Sequence, residues 1–91
     1  MTDKKLNKDF KLKEKKENLA TIILHNDDFN TFDFVIDSLI ELCGHDEVQA
    51  EQCAFIVHYK GKCDVLNGSF SELIDIYEEM KVRELTVTLN N

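Results

Sequence analysis

Ala20-Thr21-Ile22-Ile23-Leu24-His25-Asn26-Asp27-Asp28-Phe29 changes character within ten residues. Its first half is an apolar, β-branched run, the composition of a buried strand. Its second half places an amide and two carboxylates where that strand stops and a helix is expected to begin. Further along, Val57-His58-Tyr59-Lys60-Gly61-Lys62 ends an apolar helix with a histidine. A strand end and a helix end that both present polar groups can form one small acceptor-rich site. Such a site suits a cation that carries N–H donors.

Reading outward from this stretch, strand one covers about 19–25. A helix over about 31–43 follows, with Asn30 or Thr31 as N-cap and Gly44 as the left-handed residue that stops it. Its apolar positions Phe32, Val35, Ile36, Leu39, Ile40 and Cys43 keep helical spacing. A second helix is expected over about 47–58, opened by Asp46 with Gln49 in capping-box spacing. Ala50, Cys53, Ala54 and Val57 form its stripe. Phe55 and Ile56 broaden that stripe, so this helix is expected to lie centrally. Strand two is expected over about 59–66, with Asn67-Gly68 as a turn. A third helix runs from Ser69 or Ser71 to about Lys81, with Ser69 and Glu72 again in capping-box spacing. Strand three covers about 84–90, where Leu85, Val87 and Leu89 alternate with Thr86 and Thr88. The order β-α-α-β-α-β predicts an α+β fold, a small two-layer sandwich of three helices on a three-stranded antiparallel sheet.

The 91 residues form one domain with a modest core. No apolar run approaches the ~20 residues that span a bilayer. The N-terminus has no apolar segment behind it and does not read as a signal peptide. A cytoplasmic protein with no membrane contact is expected. Charge is unevenly placed. Residues 1–18 hold seven Lys and four acidic groups, whereas residues 19–91 hold four basic and fourteen acidic ones. The first segment has too little apolar surface to offset the entropy of ordering and is expected to be a disordered, lysine-rich extension. The acidic remainder argues against nucleic acid and favours partners that carry positive charge. Cys43, Cys53 and Cys63 form no C-x-x-C pair, and an odd count excludes a full disulfide framework. They read as reduced packing residues.

Two readings of Asn26-Asp27-Asp28 stand side by side. Asn and Asp suit turns and helix starts, so the loop can be a cap. One cap needs one such residue, however, and here there are three, with Asn30 beyond them; the surplus suggests ligand contact. His58 likewise reads either as a core or C-cap histidine or as a ligand group. His25 and His45 are weaker candidates. No nucleophile-elbow, zinc-protease, P-loop or dinucleotide pattern occurs, so no enzymatic activity is expected. His25, Asp27, Asp28 and His58 match no metal-ligand spacing. No metal or other cofactor is expected.

The strand followed by N-D-D and an aromatic, the helix containing F-V-I-D-x-L and the helix closing in V-H-Y-x-G-K together resemble the ClpS adaptors of the bacterial N-end rule pathway. The resemblance covers roughly residues 20–91 and runs without a gap from Asn26 to Lys62. It implies a monomeric, non-enzymatic adaptor that binds proteins with a bulky hydrophobic first residue (an N-degron). The adaptor would hand them to the N-terminal domain of a Clp AAA+ unfoldase for degradation, with the N-terminal extension taking part in delivery. It further implies that Asn26 and His58 hydrogen-bond the substrate's α-ammonium, that Asp28 adds a carboxylate near it, and that Asp27 contacts the backbone beyond the first residue. Phe32, Val35, Ala54, Val57 and Leu85 would line the side-chain pocket. The chain departs from the family at several points. Asn30-Thr31 replaces the usual Thr-Pro, Phe32 and Ala54 stand where methionines are common, and the turn after the third helix is shorter. The alternative is an interaction module of the same fold without recognition of N-terminal residues.

Overall fold

The computed structural model describes residues 18–91, so the expected extension lies, but for Asn18, outside the described residues. Strand β1 spans Leu19–His25. Helix α1 follows over Phe32–Cys43 and helix α2 over Glu47–Lys60. Strand β2 is Lys62–Ser69, helix α3 Phe70–Val82 and strand β3 Val87–Asn90. The sheet is antiparallel throughout, in the order β2-β1-β3. The expected order β-α-α-β-α-β and the α+β sandwich are what the chain adopts.

The central strand β1 turns Ala20, Ile22 and Leu24 into the core, and Leu39, Ala50, Leu73 and Met80 from the three helices close over them. Period-two alternation on β1 thus meets period-3.6 stripes on the helices, which is why the two layers bury one face each. Register along β1 and β2 runs from Leu19 opposite Ser69 to His25 opposite Lys62. It skips Val65, with Ile22 opposite Leu66 and Ile23 opposite Asp64, a bulge that places one extra residue in β2. The Val65 carbonyl accepts a hydrogen bond from His45 Nε2 at 2.7 Å. His45 is buried, and its Nδ1 has no hydrogen-bond partner among the described residues.

Thr31 caps α1, its hydroxyl accepting from the Phe34 N–H, and Gly44 ends the helix at φ 70°. Asp46 caps α2 by accepting from Gln49 N. Ser69 and Glu72 form a full capping box at the start of α3. Four expectations need correction. Helix α2 continues to Lys60 rather than stopping near 58, because the residue able to reverse the chain is Gly61, at φ 99°. Strand β2 therefore begins at Lys62 and runs through Asn67-Gly68, which is paired strand and not a turn; Thr21 Oγ1 donates to Asn67 Oδ1 at 2.7 Å across that pair. Strand β3 begins at Val87 rather than 84, since Glu84 takes the left-handed conformation at φ 63°. Finally, α2 is one-sided: Ala50, Cys53, Ala54 and Val57 are buried, but Phe55 and Ile56 face outward.

The three cysteines are free thiols. Burial pushes Cys43 up to about 11. Burial and the neighbouring Cys63 thiol, 3.3 Å away, push Cys53 up to about 12. Thiols that hold their protons so strongly are packing groups at neutral pH.

Candidate binding pocket

The segment between β1 and α1 is tied down at several points. His25 N donates to Thr86 O at 2.8 Å, and Asn26 N donates to Gly61 O at 2.9 Å. The second bond joins the strand end directly to the cap of α2, so the two blocks singled out in the sequence meet in space. Asp27 then organises the turn. Its Oδ1 accepts from the Phe29 and Asn30 backbone N–H groups at 2.9 and 2.7 Å. Its Oδ2 accepts from Asn30 Nδ2 at 2.9 Å and from Thr86 Oγ1 at 2.7 Å. Burial works to raise the Asp27 pKa, but these hydrogen bonds outweigh it and draw the group down to about 2. Asn30 Nδ2 also donates to Glu84 O at 3.0 Å, which anchors the loop to the turn before β3.

Above this loop lies an open cavity of about 350 Å³. Asn26, Asp27, Asp28 and Asn30 reach it from the loop, Phe32 and Val35 from α1, and Ala54, Val57 and His58 from α2. Eight of the nine expected site residues therefore converge. Leu85 is placed differently: it is buried at 5 % exposure and borders a separate void of only about 30 Å³, behind Val35 and Val57. Asn30 lines the pocket and was not among the expected site residues. The surplus of amide and carboxylate groups around it was the available signal.

The polar groups at the cavity divide into two sets. Asp27 and Asn30 spend their hydrogen-bonding capacity on the fold. The side chains of Asn26, Asp28 and His58 are exposed, and among the described residues they form no hydrogen bond; the ring of His58 stands edge-on to Tyr59 at 4.9 Å. An amide, a carboxylate and an imidazole thus flank walls of Phe32, Val35, Ala54 and Val57. Such a site accepts hydrogen bonds from a cationic head while it shelters an apolar group. Among the described residues, no three His, Cys, Asp or Glu are placed to hold a metal ion, and no helix is long and apolar enough to cross a membrane.

An α+β sandwich with a polar-rimmed pocket of apolar walls fits a small binding domain. A family model described as the ATP-dependent Clp protease adaptor protein ClpS matches residues 15–87. The chain is 36% identical over 81 residues to the ClpS adapter of Edwardsiella ictaluri, an alignment covering 82% of this chain and 76% of that protein. It is 33% identical over 72 residues to the ClpS adapter of Serratia proteamaculans, covering 77% and 68%. The chain belongs to the ClpS family: it is a non-catalytic adaptor of the Clp protease. Its fold is similar to that of Agrobacterium tumefaciens ClpS2, solved bound to L-phenylalaninamide, with a TM-score of 0.67 at 19% identity, over 80% of this chain and 95% of that one.

Proposed function

We propose that the pocket binds the N-terminal residue of a protein substrate, with a bulky hydrophobic first side chain, and that the adaptor delivers this substrate to a Clp AAA+ unfoldase. One observation carries the reading: Asn26, Asp28 and His58 are exposed, and without a hydrogen-bond partner among the described residues, at the rim of an open cavity of about 350 Å³ with apolar walls. In this role Asn26 Oδ1 and a ring nitrogen of His58 accept hydrogen bonds from the α-ammonium, and Asp28 adds a compensating charge. Phe32, Val35, Ala54 and Val57 enclose the side chain, and Leu85 supports Val35 and Val57 from behind. Asp27 acts by holding the loop, since its own acceptors are occupied. The ligand in the ClpS2 structure, an aromatic amino-acid amide with a free α-amine, supports this chemistry. The adaptor would act as a monomer in the cytoplasm, on the N-terminal domain of the unfoldase.

The energetics are adequate. An α-amino group has a pKa near 7.7–8.0 and is largely charged at neutral pH. Each hydrogen bond to a charged group contributes about 1.5–3 kcal/mol, and burying a Leu or Phe side chain about 1.5–3 kcal/mol. Less the cost of association, this gives an affinity near 1 μM, about −8 kcal/mol.

Titration with a Leu- or Phe-initiated peptide against its N-acetylated twin tests the proposal. The free peptide should bind and the acetylated one should not. Equal binding of the two would favour an interaction module that does not read the N-terminus. In the same assay Asn26→Ala and His58→Ala should each weaken binding by about tenfold or more, with the melting temperature little changed. Parent-like affinity in both variants would put the ammonium site elsewhere.

A further inference from the structure

The side of α2 that carries Phe55 and Tyr59, i and i+4, faces away from the core, and the two side chains are 50% and 73% exposed. Neither is among the residues that line the pocket. They nevertheless connect to it. The Phe55 ring lies edge-on to Phe32, with centroids 5.0 Å apart and an interplanar angle of 66°. Tyr59 stacks on Phe55 at 6.1 Å and 7°. Three rings therefore form a continuous run whose inner end is a wall of the pocket. Apart from the imidazole of His58, that wall is the pocket's one aromatic surface among the described residues; the remaining apolar lining is Val35, Ala54 and Val57.

Phe32 opens helix α1 and is itself 38% exposed, so core packing alone does not fix its ring. The edge contact from Phe55 does. An edge-to-face pair biases a side chain's population by roughly two- to tenfold, and Tyr59 limits the freedom of Phe55 in turn. A ring held in this way presents a set face to whatever enters the pocket. An aromatic guest can continue the run as its fourth ring, in offset or edge geometry. An aliphatic guest gains only contact area.

We propose that Phe55 and Tyr59 are positioning residues that hold Phe32 as an aromatic wall, and that this run makes the pocket select substrates whose first residue is aromatic over those beginning with leucine. The inference rests on the reading of the pocket as a site for N-terminal residues. It adds the class of first residue, and it assigns that preference to two side chains outside the pocket.

The experiment compares Phe- and Leu-initiated peptides that share every later residue, each with an N-acetylated twin, on the full chain. The parent should prefer the Phe peptide by roughly three- to tenfold. Phe55→Ala should reduce that ratio to near unity and leave the Leu peptide within about twofold of the parent, because the ammonium contacts are untouched. Tyr59→Ala should reduce the ratio by less, and Phe55→Tyr should restore it. Both positions are exposed, so the variants should fold. An equal loss for the two peptides or an unchanged ratio would each overturn the inference. If acetylation ceases to matter in the parent, the reading of the site itself fails and takes the inference with it. If acetylation still abolishes binding but the ratio does not respond to Phe55, the pocket stands and only the aromatic run is refuted.

Discussion

The Asp27 carboxylate accepts four hydrogen bonds from its own chain, whereas the side chains of Asn26 and Asp28 on either side of it accept none among the described residues. Composition alone announces three turn-forming polar residues and cannot apportion them, because the division depends on Thr86 and on the turn at Glu84, both far along the chain. His45 was obscured for a similar reason: as a loop residue before a cap it looks solvated, but the extra residue in β2 presents the Val65 carbonyl to it inside the core. The Asp27 arrangement has a consequence in acid. Its folded pKa, about 2, lies below the unfolded value of 3.8, so its contribution is fully present above pH 4 and is lost as pH falls through 2. Asp27→Asn removes that titration and sets an amide NH₂ against the Asn30 amide donor. The variant should be less stable than the parent at neutral pH, and the difference should shrink between about pH 4 and pH 2 as the parent loses its advantage. Urea titrations across that range measure it. A constant difference at every pH would mean that Asp27 does not carry the charge-dependent stabilisation assigned to it.

At the level of elements, most of the architecture was legible because caps and periodicities agree. Thr31, Asp46 and Ser69 sit where capping residues should, and Gly44 ends α1 as its position suggests. The boundaries that shifted are those where two local signals compete. Tyr59-Lys60 has strand composition but lies before a glycine able to end a helix, and the helix prevails. Asn67-Gly68 is a strong turn dipeptide, but pairing with Ala20 and Thr21 holds it extended. Gly61 links element to site: its positive φ stops α2, and its carbonyl accepts the Asn26 N–H. A Cβ there would meet nothing within 4 Å, so the cost of Gly61→Ala is conformational. The substitution should destabilise the fold by about 1–2 kcal/mol. It should also weaken binding of a Leu- or Phe-initiated peptide, since the same backbone strain displaces the anchor of Asn26. Chemical denaturation and peptide titration of this variant together check the link. A loss of stability with unchanged affinity would show that the α2 cap and the Asn26 side chain are mechanically independent.

For the whole molecule, charge is divided unequally along the sequence. Residues 19–91 carry ten more acidic than basic groups, and the first 18 carry three more basic than acidic. The acidic part holds the pocket, built from residues 26 to 58. A cationic N-terminus approaching this surface is favoured by long-range attraction, so peptide association should slow as ionic strength rises. The lysine-rich segment has the opposite sign and contributes nothing to that attraction. Deleting residues 1–17 should therefore leave affinity for a Leu-initiated peptide within about twofold of the parent, and thermal stability nearly unaltered. If the segment serves delivery, as the family resemblance implies, degradation of a Leu-initiated reporter by the cognate unfoldase and peptidase should fail for the truncated chain even when the reporter is bound to saturation. The two measurements are independent. Normal degradation by the truncated chain would leave the segment without a role in delivery, and a large fall in peptide affinity would mean that it forms part of the binding site.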